Sequence, residues 1–354
     1  MRPASCIALV ILFATSLADA PRHLFFVGHN KTGTTTLFEM TKAVGMDAKH
    51  GRDKWGQKVN NPALREGYLK ITRPTSYGDG SDPDIEWLSS RFPSSAFVLN
   101  TRDLEGWLSS RHAHVANNQD KARRGGSSNW LGNSPCDVVD WIISRDRLHS
   151  KILALFAGAT QPRFSTVNIP KDGTDATYLR LLPVFEHVMP GRRLGPSGPP
   201  GGGGDNTTNP GVPEVPRSIK VLHSKPMVKN NKGFTSKFLH GSKRRVAALL
   251  EEMGFSEGER RSSILLGCGE DDVVAAAGRG AGPWEEHPCL AASAQNETFT
   301  RLEAIHGKMC AEERSKKAVA PPVRFRRRGR EGWQAARSWV RGGGGGKARK
   351  AAAP

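Results

Sequence analysis

The sequence predicts an α/β protein in three layers, with a central parallel sheet between two layers of helices. Two patterns carry this expectation. Apolar runs of strand length at residues 24–27, 96–100 and 164–169 each give way to helical periodicity, the first two through a short polar loop. Parallel strands joined by crossover helices require this alternation. At 354 residues the chain is also long enough for one large domain of this class with insertions, or for two small ones. Its hydrophobic content of 37%, with 39 Gly and 23 Pro, puts a good part of the chain outside a packed core.

The elements follow in order. The run 24–27 stops at Gly28, and a polar loop follows with Lys31, Gly33 and four threonines. Leu37, Phe38, Met40, Thr41 and Val44 then recur at helical spacing, which reads as strand, tight loop and helix N-terminus. Residues 47–58 are basic and polar, contain His50 and Trp55, and read as a loop or short helix near the C-terminal edge of the sheet. Residues 77–84 are turn-rich, and Ile85, Trp87 and Leu88 mark a helix ending near Phe92 and Pro93. The run 96–100 leads into Thr101, Arg102 and Asp103 and then a helix with Trp107 and Leu108, which repeats the first unit. Residues 121–135 read as a Gly/Ser/Arg-rich loop, and the apolar positions from Val138 to Leu155 as one long helix or two short ones. A third strand at 164–169 and a helix at 178–189 come next. A short strand at 218–222 and a helix at 243–253 are also expected.

The outer segments set the domain expectations. Arg2, the apolar run 6–17 and the small-x-small group Ala18-Asp19-Ala20 fit a secretory signal peptide over residues 1–20. The run is short of the roughly 20 residues that a membrane span needs, and a short signal-anchor is the alternative. The main domain is expected over 21–260, interrupted by a Gly/Pro-rich insertion at 191–217. A partly helical extension follows at 261–315, with a helix at 299–313, and then a basic disordered tail at 316–354. The expected location is the secretory pathway, in the Golgi lumen or secreted, with the cytoplasm as alternative. Beyond the signal, Cys136, Cys268, Cys289 and Cys310 allow two disulfides in three pairings and are too widely spaced for a zinc motif. Asn206 and Asn296 head glycosylation sequons, whereas the sequon at Asn30 lies inside the polar loop. The formal charge of +18 suits anionic partners such as an acidic polysaccharide or a nucleotide, although part of it sits in the basic tail.

The loop at 28–37 is where chemistry concentrates. A helix N-terminus with free N–H groups, several hydroxyls and a lysine is an anion site, suited to phosphate. The common nucleotide loop places lysine directly after its second glycine. Here Thr34 follows Gly33, and the lysine is Lys31. This departure, with no clear magnesium-binding acid pair, argues against hydrolysis of ATP or GTP.

Lys31-Thr32-Gly33-Thr34-Thr35-Thr36-Leu37, after a strand and opening a helix, resembles the 5′-phosphosulfate loop of sulfotransferases that use 3′-phosphoadenosine 5′-phosphosulfate (PAPS). A second motif strengthens the resemblance: Arg102 at a strand end and Ser110 eight residues later match the pair that grips the 3′-phosphate of the cofactor in that family. The resemblance covers residues 24–169 and is nearest to carbohydrate and Golgi-type sulfotransferases and to protist and algal families. Lys232-Gly233 also resembles a C-terminal Lys-Gly element of the cytosolic relatives, in a surrounding pattern that departs from theirs.

The family resemblance implies a fold like that of P-loop-containing nucleoside triphosphate hydrolases and PAPS as co-substrate. It implies in-line transfer of a sulfuryl group to a hydroxyl or amine, by a scheme that requires no metal. Lys31 would stabilise charge on the leaving oxygen, and Thr34, Thr35 and Thr36, with the loop N–H groups, would hold the 5′-phosphate; Thr32 and Gly33 belong to the same cofactor-binding loop. The acceptor needs a general base. His50 is the expected one, with His112, Glu39 and Asp53 as rivals. The acceptor is expected to be carbohydrate, with Lys49, Arg52, Lys54 and Lys58 as contacts or simply a solvated face. No nucleic-acid partner is expected, and membrane contact only if the N-terminal segment is retained. The rival classes are a nucleotide-dependent kinase and an inactive basic glycan-binding protein of the same fold.

Overall fold

β1 (Leu24–Phe26) is apolar and wholly buried, and the chain places it at the centre of the sheet. In the computed structural model, which describes residues 22–51, 55–68, 73–79, 83–124, 134–157, 159, 161–192, 236–266, 268 and 292–319, five strands pair in the order β2-β3-β1-β4-β5. β2 (Asp47–Lys49) and β3 (Thr75–Tyr77) lie on one side of β1, and β4 (Ala96–Asn100) and β5 (Phe164–Val167) on the other. Every pairing is parallel; Phe25 stands opposite Tyr77 and Phe97, and Val98 opposite Ser165. The expected signal peptide lies outside the described residues, as do the insertion beyond Arg192, the sequon at Asn206, the strand at 218–222, Lys232-Gly233, and the tail beyond Val319.

Alternate strand residues go to opposite faces, and helices cover both. On one face Phe25 stacks between Tyr77 and Phe97, with ring centroids 5.2 and 5.1 Å apart. Trp55 and Val59 of α2 (Trp55–Asn60), Ile85 and Leu88 of α4 (Ile85–Arg91), and Ile152 of α6 (Pro135–Leu155) pack over them. On the other face Leu24, Phe26, Ala96 and Val98 meet Leu37 and Met40 of α1 (Thr34–Ala43). Tyr178, Leu181 and Phe185 of α7 (Ile169–Val188) complete that side. A third cluster joins α5 (Leu104–Arg124) and α6 to α8 (Ser236–Glu252) and α10 (Ala292–Val319) through Trp107, Leu108, Ile142, Leu250 and Leu302. Two short helices, α3 (Pro62–Tyr68) and α9 (Glu257–Arg261), complete the described elements. None of the described helices is long and apolar enough to cross a membrane.

Several boundaries differ from the sequence reading for identifiable reasons. β2 stands where a loop or short helix was expected. It is a half-buried edge strand of Asp, Ala and Lys, residues without strand preference, held by backbone pairing that continues in the bond from Gly78 N–H to Lys49 O at 2.9 Å. α5 runs on to Arg124, into residues read as a loop, because its last turns have no apolar stripe to announce them. α6 is one continuous helix, opened by a Ser134–Asp137 capping box and Pro135 in its first turn. α7 starts earlier than the apolar pattern suggested, since the Asn168 side chain accepts from Lys171 N–H and Pro170 follows it. It is interrupted at Gly173, whose φ of 78° is left-handed.

Contacts divide the chain into Met1–Cys310 and Ala311–Pro354, and the described residues of the second unit, 311–319, are helical. Cys136 at the start of α6 is disulfide-bonded to Cys310 of α10, and Cys268 is disulfide-bonded as well.

His23 ties the rim of the aromatic layer to solution pH. It is fully buried, edge-on to Phe25, Tyr77 and Phe92 with centroids 5.0–5.9 Å away, and burial lowers its pKa to about 4. Between pH 6.5 and 4 the unfolded chain therefore takes up a proton that the folded chain refuses. Stability falls as pH drops through that window, by about 3 kcal/mol at 1.36 kcal/mol per unit. Urea denaturation of His23→Phe, which keeps an aromatic ring there, should give a shallower fall in stability between pH 6.5 and 4. An unchanged slope would contradict the assignment.

Candidate functional site

The two motifs singled out in the sequence leave the C-terminal ends of neighbouring strands. After β1 the chain moves to one side of the sheet and after β4 to the other, so the loop at 28–33 and the turn at 101–103 flank the switch point where open α/β sheets bind ligands. Asn100, the last residue of β4, joins them. Its Oδ1 accepts from Gly28 N–H at 2.9 Å and its Nδ2 donates to Thr32 Oγ1. Thr32 Oγ1 in turn donates to His29 O at 2.5 Å. Arg102 Nη1 donates to Lys31 O at 3.2 Å, and Trp107 Nε1 to Asn30 O at 2.9 Å. The second motif thus builds the loop of the first.

The backbone of the loop is under constraint. A Cβ on Gly28 would lie 1.9 Å from Asn100 O, so only glycine lets the two strands' ends come this close. Gly33 adopts a φ of 93°, and its missing Cβ faces Ile169 at 2.8 Å. Lys31, which is not glycine, also has a positive φ, of 76°. That conformation costs a non-glycine residue about 1–2 kcal/mol, and the bonds from Arg102 and Trp107 hold it. Gly33 caps α1 without a side-chain hydrogen bond, and the first turn of α1 contains no acid. The N–H groups and partial positive charge of that end are therefore open to an external anion. Thr34 and Thr36 are buried beside it and Thr35 is exposed. The Thr32 hydroxyl is buried in the support of the loop.

Three cations gather here. Burial lowers the pKa of Lys31; the nearby Asp79 carboxylate works against that, and Arg111 adds to it. Burial also lowers that of Arg102, with Asp103 opposing, and that of Arg111. The Arg111 guanidinium lies over Trp141 at 4.7 Å and Trp107 at 5.7 Å, and the Nε atoms of Arg102 and Arg111 are buried without a hydrogen-bond partner among the described residues. Cations desolvated in this way favour an anion among them. Ser110 is half-buried on α5, about 9 Å along the helix from Leu104, and among the described residues no hydrogen bond joins it to Arg102.

The acid and base candidates separate cleanly. His50 Nε2 lies 3.4 Å from Thr34 Oγ1 and 3.7 Å from Asp79 Oδ2, with its ring against Phe38. His50 therefore stands at the mouth of the threonine loop. Asp79 is held at a φ of 59°; burial raises its pKa, opposed by His50 and Lys31. Of the rival bases, Glu39 is half-buried on α1 and pairs with Lys42 at 3.7 Å. His112 Nδ1 lies 2.9 Å from Ser242 Oγ in the contact between α5 and α8, away from the loop. Asp53, Arg52 and Lys54 lie outside the described residues. His29, within the loop, is kept neutral by burial and by Arg111, with a pKa of about 4.

A buried pair steadies the start of α5. Arg145 Nη1 donates to Asp146 Oδ1 at 2.8 Å and Arg145 Nη2 to Ser262 O at 2.9 Å. Asp146 Oδ2 accepts from Leu266 N–H at 3.0 Å. The same Ser262 O accepts from Leu104 N–H at 3.0 Å, directly after Arg102 and Asp103.

The sequence reading missed Asp79, Arg111, His29 and the bridging role of Asn100. Asp79 sits just past β3, a strand too short to be recognised. Arg111 adjoins Ser110 and could have been found by asking which further cations the start of α5 presents. No protein-family model matches the chain, and no curated protein matches it. Replacing Asn100 with Ala would remove both bonds and leave Gly28 N–H unsatisfied, so denaturant unfolding of Asn100→Ala should show a loss of about 1–3 kcal/mol. An unaltered midpoint would show that the bridge carries no weight.

Proposed function

We propose that the chain is a PAPS-dependent sulfotransferase with a P-loop-type nucleotide fold, acting on a hydroxyl or amine of a carbohydrate. One observation carries the reading. The Lys31–Thr36 loop and the Arg102 turn leave adjacent parallel strands and are bonded to one another, which brings the Lys31 and Arg102 cations into one site suited to an anionic nucleotide.

In this reading Lys31, beside the uncapped end of α1, stabilises charge on the oxygen that leaves the sulfur. The threonine hydroxyls and loop N–H groups hold the 5′-phosphosulfate. Arg102 and Ser110 hold the 3′-phosphate, and Arg111 adds a further positive charge to the field. The transfer is an in-line displacement in which positioning and electrostatics supply most of the acceleration. His50 in its neutral form accepts the proton of the acceptor hydroxyl, and the Asp79 carboxylate beside it favours the imidazolium that results. The positive charge of Lys31, Arg102 and the helix end meets the needs of the scheme. A luminal or secreted location fits the Cys136–Cys310 disulfide, since such bonds persist in oxidising compartments. The excess of Lys and Arg suits an anionic glycan, and membrane attachment would depend on the N-terminal segment.

The test is transfer of labelled sulfate from PAPS to a panel of glycans, read with purified full-length chain. Lys31→Ala should lose nearly all turnover, and retained activity in that variant would sink the assignment. His50→Ala should lose roughly 10²-fold or more in kcat, while near-normal turnover would remove His50 from the proton transfer. Arg102→Ala should raise the KM for PAPS and, by releasing the Lys31 backbone, lower kcat as well. Transfer of phosphate from ATP with magnesium, without sulfate transfer, would favour the kinase alternative.

A further inference from the structure

Away from the phosphate loop, the Cys136–Cys310 disulfide, His306 and Asp140 meet between α6 and α10. Cys136 and Asp140 stand one turn apart on α6, and His306 and Cys310 one turn apart on α10, so each helix presents an i, i+4 pair to the other. Three donor atoms converge on one atom, His306 Nε2. Cys136 Sγ is 3.6 Å away, Cys310 Sγ 3.2 Å and Asp140 Oδ1 2.9 Å. A ring nitrogen carries one N–H or one lone pair, which Asp140 engages while the two sulfurs are joined as a disulfide. Cys136 Sγ, His306 Nε2 and Cys310 Sγ lie within 4.8 Å of one another, and once the disulfide is open a cation among them would take all three as ligands, with Asp140 beside His306 to supply the fourth. Zn–S bonds of about 2.3 Å and Zn–N bonds of about 2.0–2.1 Å put the S···N edge of a tetrahedral site near 3.5 Å. The two S···N distances here, 3.6 and 3.2 Å, fall close to that edge. Two thiolates, an imidazole and a carboxylate form the donor set of a borderline-soft divalent ion.

We propose that Cys136, Asp140, His306 and Cys310 form a zinc-type metal site whenever the Cys136–Cys310 disulfide is open. The joint between α6 and α10 is then closed in either redox state, by the S–S bond or by the metal. The exchange balances. A dithiol or phosphine reductant gives two electrons to the S–S bond, which breaks, and two protons complete the two thiols. The divalent metal then binds as those two protons leave to water. Re-oxidation by a small-molecule disulfide, through a mixed disulfide, passes two electrons to that oxidant, which leaves as two thiols; the Cys136–Cys310 S–S bond re-forms and the metal is released. The inference does not depend on what the phosphate loop binds.

The test uses the full-length chain, reduced with a phosphine, stripped by a chelator and titrated with Co²⁺. The reduced chain should show thiolate-to-cobalt charge transfer and the visible bands of tetrahedral cobalt, saturating at one equivalent and displaced by Zn²⁺. The oxidised chain should show neither. His306→Ala should weaken cobalt binding by more than the roughly 10–100-fold loss that follows removal of an outer-shell partner, and Asp140→Ala should alter the visible bands. Absence of charge transfer in the reduced wild-type chain, with its thiols confirmed by titration, overturns the proposal. So does a signal that persists in the Cys136→Ser/Cys310→Ser double variant, which keeps Cys268 and Cys289. An unchanged cobalt spectrum and affinity in Asp140→Ala overturns the four-ligand set.

Discussion

The side chain of Asn100 fixes the geometry on which the site depends. Buried at the end of β4, it uses its carbonyl on Gly28 and its amide on Thr32, so one residue sets both ends of the loop that follows β1. Gly28 has no Cβ because Asn100 O occupies that space. The close approach of β1 and β4 and the shape of the loop are therefore one constraint seen from two strands. With Arg102 and Trp107 also donating to loop carbonyls, the left-handed Lys31 is held rather than free to relax. Donors prearranged around an anion need little reorganisation when it arrives.

The charges around this frame are arranged by burial. Lys31, Arg102 and Arg111 are each partly desolvated, and Asp79 and Asp103 oppose that effect only in part. Deeper in the molecule the order is reversed. Arg145 and Asp146 are fully buried and paired, with their remaining atoms bonded to the segment around Ser262–Leu266. A buried pair of this kind is weak evidence for stability in itself. Its position explains its use here, because Ser262 O links it to the first residue of α5, between Arg102 just before the helix and Arg111 two turns into it.

The sequence was most legible where burial was two-sided. β1 and β4 announce themselves as unbroken apolar runs, and the loops after them carry their chemistry in the order of their residues. It was silent where backbone alone makes the structure. β2 is Asp-Ala-Lys and β3 Thr-Ser-Tyr, three residues each, and neither has a pattern that separates it from a turn. Asp79 was hidden with β3, whereas His50 was visible as a residue type even though its strand was not. Arg111 was lost for a different reason. Only the stacking on Trp107 and Trp141 turns it toward Lys31, and that is a property of two helices rather than of a motif. The disulfide could be enumerated from the cysteines, but the choice of Cys136 with Cys310 needed the packing of α6 against α10.

The two loops are proposed to form one site for a nucleotide phosphorylated at both the 3′ and 5′ positions. Thermal unfolding of the wild-type chain with 3′-phosphoadenosine 5′-phosphate, set against ATP with magnesium, tests it most directly. A ligand at 100 times its Kd stabilises the folded state by about 2.7 kcal/mol, which shifts the midpoint by a readily measured few degrees. The account predicts that shift with 3′-phosphoadenosine 5′-phosphate, its loss in Arg102→Ala, and none with ATP and magnesium. Stabilisation by ATP and magnesium, with no response to the 3′-phosphorylated nucleotide, would contradict it.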